Sequence, residues 1–120
     1  MPANKHLEII KHETKGIPVF HLNNDPEDHF LRPSVNYLFK SCAKTYGPDC
    51  LALLLTGMGK DGAEGCKEIQ LNGGYTIAES QDSCIVYGMP KAAIDMNAAN
   101  EVLHKNDVAK RIKQLIIENQ

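Results

Sequence analysis

The sequence predicts an α/β fold: part of a doubly wound, open parallel sheet with flanking helices and a β-hairpin at the N-terminal end. Three observations carry this reading. The run Cys50-Leu51-Ala52-Leu53-Leu54-Leu55 is apolar without alternation, as in a parallel strand covered on both faces. A glycine-dense turn follows it directly, where such a strand hands over to a helix. From there to the C-terminus, strand-like and helix-like segments alternate, the signature of βαβ units.

Taken in order, residues 6–10 and 17–22 are β-like, and Thr14-Lys15-Gly16 between them has turn composition, so they form the hairpin. The stretch 23–29 continues as a polar, acidic loop. Arg32-Pro33 reads as a helix opening with proline in its first turn. Val35, Leu38, Phe39, Cys42, Ala43 and Tyr46 then recur at helical spacing until Gly47-Pro48 stops them. After the strand at 50–55, a helix from about Gly62 turns Ala63, Cys66 and Ile69 inward and ends at Gly73-Gly74, and 75–78 is the next strand. A polar loop is expected over 79–83 and an apolar, β-prone segment over 84–87. Gly88-Met89-Pro90 leads into a short helix with Ala93 and Met96 on one face, and Val102-Leu103 is a brief strand. Asn106 or Asp107 is expected to cap a last helix whose buried stripe is Val108, Ile112, Leu115 and Ile116.

At 120 residues and 42% hydrophobic content the chain is one domain at most, able to bury a core but small for a complete α/β enzyme. Its formal charge of −2 comes from 13 basic and 15 acidic residues spread along the chain, which argues against a nucleic-acid face. No apolar run approaches membrane-spanning length, and Met1-Pro2-Ala3-Asn4-Lys5-His6 opens no secretory signal, so membrane insertion is not expected and a cytoplasmic location is. Cys42, Cys50, Cys66 and Cys84 contain no Cys-x-x-Cys pair and read as reduced packing residues. His6, His12, His21, His29 and His104 lack metal-ligand spacing, so neither a metal nor a cofactor is expected.

The turn Thr56-Gly57-Met58-Gly59-Lys60-Asp61-Gly62 is where chemistry is expected. Gly57, Gly59, Gly62 and Gly65 let the backbone take positive φ or approach another segment closely, and Asp61 is the one carboxylate the turn presents. It is not a phosphate-binding Walker loop, because no Gly-Lys-Ser/Thr follows. Gly57, Gly59 and Gly62 satisfy a bare Gly-x-Gly-x-x-Gly, but no suitably placed acid follows, which leaves dinucleotide binding a weak alternative. Asp61 either caps the helix that follows it or works at the carboxyl end of the sheet, where ligands of such folds bind.

Three separated blocks resemble the catalytic domain of the chemotaxis protein-glutamate methylesterases (CheB type). They are Leu31-Arg32-Pro33-Ser34-Val35-Asn36-Tyr37-Leu38-Phe39, then Leu55-Thr56-Gly57-Met58-Gly59-Lys60-Asp61-Gly62-Ala63-Glu64-Gly65, then Ser83-Cys84-Ile85-Val86-Tyr87-Gly88-Met89-Pro90-Lys91-Ala92-Ala93-Ile94. The likeness runs from about Pro2 to the last helix and implies that residues 1–120 are the C-terminal portion of such a domain. It implies hydrolysis of glutamyl methyl esters on the cytoplasmic helices of chemoreceptors, in some members with glutamine deamidation, by a Ser-His-Asp triad.

By this resemblance Asp61 is the triad acid. Thr56, Gly57, Met58 and Gly59 line the site, Met89 shapes the adjoining surface, and Arg32 is a substrate-side or structural charge. The family's serine and histidine fall N-terminal to the matching region, as does its receiver domain. Ser34, Ser41, Ser80 and Ser83 stand in no Gly-x-Ser-x-Gly turn. The chain therefore carries the acid alone, and by itself is expected to be inactive. The alternative is a non-catalytic relic that binds receptor helices or another protein. A sheet lacking its first strands is further expected to expose apolar surface and to form homo-oligomers.

Overall fold

The computed structural model describes residues 2–118. The hairpin pairs β1 (His6–Lys11) with β2 (Pro18–Asn23), His6 opposite Asn23 and Lys11 opposite Pro18. A separate parallel sheet has the order β3 (Leu51–Leu54), β4 (Tyr75–Glu79), β5 (Glu101–Leu103). The helices are α1 (Val35–Tyr46), α2 (Ala63–Leu71), α3 (Met89–Asp95) and α4 (Lys105–Glu118). This is the α/β architecture the sequence predicts, hairpin included.

Helix α1 joins the two sheets, packing on β1 on one side and on α2 on the other. Its apolar residues recur at helical spacing, so Phe39 reaches two buried clusters, one of Leu54, Ala63, Cys66, Ala93 and Ala98, the other of Ala43, Ala52 and Ile69. The α1–α2 approach depends on Gly65: a Cβ there would stand 2.6 Å from Phe39 Cβ and 3.1 Å from Asn36 Cα. Ile69 and Ile77 are fully buried, and each contributes about 2 kcal/mol of hydrophobic stabilisation.

Several sequence expectations need correction. Strand β3 is covered on one face only: Ala52 and Leu54 are buried, while Leu51 and the following Leu55 are exposed. Among the described residues β3 pairs with β4 alone, so its other edge is open. Pro33 does not sit in the first helical turn. It follows a cis peptide after Arg32 and precedes Ser34, the N-cap of α1. Residues 84–87 form no strand, because the sheet's carboxyl end receives them through a single bridge, Tyr87 to Gly57. Met96 falls at the end of α3, just before the left-handed Asn97, and is exposed. Ile116 lies one residue round the helix from buried Leu115 and faces outward. Helix α4 begins at Lys105, before the predicted caps, because Ser83 Oγ accepts from Lys105 N–H (3.1 Å) and His104 Nδ1 from Asn106 N–H (3.1 Å). Among the described residues no helix is long and apolar enough to cross a membrane.

Candidate functional site

The site is built where β3 ends. Gly57 crosses to the 80s loop: its N–H donates to Val86 C=O (3.0 Å), and its C=O accepts from Gly88 N–H (3.1 Å) and Met89 N–H (2.8 Å). The crossing depends on Gly88, where a Cβ would lie 2.6 Å from the Gly57 carbonyl oxygen and 3.0 Å from Gly59 N. Thr56 locks the same two loops from the side, its Oγ1 donating to Val86 C=O (3.1 Å) and accepting from Val86 N–H (2.8 Å). Met58 stands almost fully exposed on the turn, as does Ile85 on the 80s loop. Gly59 and Gly62 both have positive φ, +91° and +100°, which bends the chain so that Asp61 turns back toward α1.

Asp61 caps a helix, but not the one that follows it. Its Oδ2 accepts from Val35 N–H (2.7 Å), and its Oδ1 from Asn36 N–H (3.0 Å) and Ser34 Oγ–H (2.9 Å). The carboxylate thus sits at the N-terminus of α1, where it satisfies two amides that have no partner within the helix. Helix α2 starts at Gly62 with no side-chain cap. The same strap is tied a second time, because the buried Asn36 Oδ1 accepts from Gly62 N–H and Gly65 N–H, each at 2.9 Å. Asp61 is only half-buried, and it lines a cleft of about 590 Å3 together with His29, Asn36, Gly59 and Glu64.

The cleft's rim carries charge. His29 Nε2 lies 3.1 Å from Glu64 Oε2 and 3.5 Å from Asp28 Oδ1, and Lys40 Nζ lies 3.7 Å from Glu64. The Glu64 hydrogen bond raises the His29 pKa, and the same bond lowers that of Glu64. Asp28, His29 and Glu64 could each offer a ligand atom within 4.8 Å of the others, although histidine-to-carboxylate pairing already accounts for the grouping.

Ser34 is fully buried, donating to Asp61 and accepting from Tyr37 N–H (3.4 Å), which removes it from consideration as a nucleophile. Arg32 does not line the cleft: it donates to Asn4 Oδ1 (2.9 Å) and to the carbonyls of Asn24 and Asp25 (both 3.3 Å), tying the N-terminal loops together.

Sequence reasoning missed Glu79. Assigned to a polar loop, it is the last residue of β4 and is buried, accepting from Thr56 N–H (2.8 Å) and Ser83 Oγ–H (2.7 Å). Burial alone would raise its pKa, but these hydrogen bonds and the nearby Lys105 charge hold it below the usual carboxylate range. The local signal available was its position directly after Tyr75-Thr76-Ile77-Ala78, in register with a strand end.

In this α/β fold the glycine turn and the donor-held acid stand at the carboxyl end of the parallel sheet, where ligands of such folds bind. The family model for CheB methylesterase matches residues 1–112, and the chain belongs to that family. A protein-glutamate methylesterase/protein-glutamine glutaminase of Methanosarcina mazei is 42% identical over 117 residues, 96% of this chain and 32% of that protein. One from Bdellovibrio bacteriovorus is 42% identical over 98% of this chain and 33% of its own length. The crystal structure of the Thermotoga maritima CheB methylesterase catalytic domain superposes with a TM-score of 0.88 at 32% identity, over 95% of this chain and 59% of that one. The chain thus spans about a third of the length of these curated relatives and only part of a catalytic domain.

Proposed function

We propose that this chain supplies the acid of a Ser-His-Asp triad, Asp61, to a protein-glutamate methylesterase acting on methylated cytoplasmic helices of chemoreceptors. The observation that carries the proposal is the Asp61 carboxylate itself: fixed by three donors at the carboxyl end of the parallel sheet, yet open to a cleft. An ionised, immobile carboxylate orients a histidine in one tautomer and stabilises the imidazolium that forms when a serine attacks the ester carbonyl. Serine and histidine come from the part of the domain that this chain does not span. Attack at the glutamyl carbonyl releases methanol from an ester, and ammonia from a glutamine side chain by the same acyl transfer. Both activities stand in the names of the relatives. Of the residues expected to line the site, Gly59 lines the cleft beside the acid, whereas Thr56, Gly57 and Met89 bind the β3 turn to the 80s loop and Met58 stands exposed on that turn.

Methanol release from a methylated receptor fragment tests this reading. The complete domain, made by joining this chain to the unmatched part of the Thermotoga maritima domain, should turn over, and this chain alone should release nothing above the blank. Asp61→Asn in the complete domain should lower turnover on the order of 10⁴-fold, as in the serine-protease precedent. Turnover by the isolated chain, or an undiminished rate in the variant, would remove Asp61 from the mechanism.

A further inference from the structure

We propose that Ser34 is a positioning residue for Asp61, fixing which carboxylate oxygen faces the triad histidine; this rests on the reading of Asp61 as the triad acid. A carboxylate offers about four lone-pair directions. Three are occupied: Oδ1 receives Asn36 N–H and Ser34 Oγ–H, and Oδ2 receives Val35 N–H. The one remaining direction lies on Oδ2, so Oδ2 is the oxygen that accepts the imidazole N–H. Without the Ser34 hydroxyl, Oδ1 regains a direction, and the carboxylate gains a second way to meet the histidine.

The surroundings enforce this assignment. Ser34 is wholly buried, so water does not compete for its proton. Its extended backbone, φ −128° and ψ 136°, is that of an N-cap, and Tyr37 N–H points at the hydroxyl oxygen, which turns the O–H bond toward the acids. Two acceptors are within reach, Asp61 Oδ1 at 2.9 Å and Asp28 Oδ2 at 3.2 Å, and the shorter contact is to Asp61. The turn itself is anchored independently by the Asn36 carboxamide on Gly62 and Gly65. Removing the hydroxyl therefore reopens one direction on Oδ1 while the two amides still hold the carboxylate and the loop stays in place.

The test compares Ser34→Gly, Ser34→Ala and Ser34→Thr in the complete domain, measuring kcat and KM per folded molecule with Asp61→Asn as control. Glycine is nearly as good an N-cap as serine, so Ser34→Gly removes the hydroxyl with little loss of helix stability. Both hydroxyl-free variants should lose roughly 10- to 100-fold in kcat with KM unchanged, the scale of a small misplacement of a catalytic group. Ser34→Thr, which keeps the hydroxyl, should recover most of the rate. A Ser34→Gly enzyme with normal kcat, beside an Asp61→Asn enzyme that is dead, would overturn the positioning role and leave the triad assignment standing. An active Asp61→Asn enzyme would sink the triad reading itself.

Discussion

Two carboxylates close the carboxyl ends of adjacent strands, and they are held alike but differ in what they face. Asp61, beyond β3, accepts two backbone amides and the hydroxyl of Ser34; Glu79, ending β4, accepts one backbone amide and the hydroxyl of Ser83. Glu79 is sealed from solvent, with its hydrogen bonds pointing at Thr56 and Ser83, so its charge fastens the β3 turn to the 80s loop. Asp61 faces a cleft. Donor density alone therefore does not mark a catalytic acid. Access to a space where a second group can dock is what separates the two.

The largest effect on stability is expected at Glu79. Replacing it with alanine leaves the half-buried Ser83 hydroxyl and the Thr56 amide without their charged acceptor and should cost about 2–3 kcal/mol of unfolding free energy. Asp61→Asn keeps one accepting oxygen at the α1 terminus but sets an NH2 against a donor that the other oxygen accepted, so it should cost about 1–2 kcal/mol. Chemical denaturation of the two variants checks the order, and a larger loss at Asp61 would reverse the roles argued for them. The pH dependence sharpens the same contrast. Because the Glu79 pKa lies below its unfolded value, its contribution is complete above the ordinary glutamate range, about pH 4.3, and is lost as pH falls through the folded value. Glu79→Gln should flatten that part of the acid-unfolding curve.

A smaller effect is expected on the open side of β3, where Leu51 and Leu55 are exposed beside an unpaired edge, unlike the covered side that carries Ala52 and Leu54. This surface should drive weak self-association of the chain, visible by sedimentation at micromolar concentration. A strictly monomeric chain would show that the edge is inert.

Much of this was legible in the sequence because it is local. The helical recurrence of Val35, Phe39 and Ala43, the turn chemistry of Thr14-Lys15-Gly16, and the glycines around Asp61 each state a backbone preference within a few residues. What failed depended on distant partners. Glu79 looks like the start of a polar loop until Thr56 and Ser83 are folded onto it, and the capping role of Asp61 was assigned to the helix after it because its true partner lies 27 residues upstream at Ser34. The apolar run of β3 predicted cover on both faces, whereas strand alternation alone decides that Ala52 and Leu54 meet the helices.

If Asp61 is the triad acid, its Oδ2 meets a histidine contributed from outside this chain. A crystal structure of the complete domain carrying this sequence measures it directly. One imidazole nitrogen is expected within about 2.6–3.2 Å of Asp61 Oδ2, with Ser34 Oγ still on Oδ1. A histidine bound to Oδ1 with Ser34 turned away to Asp28, or no imidazole within hydrogen-bond reach of Asp61, would contradict it.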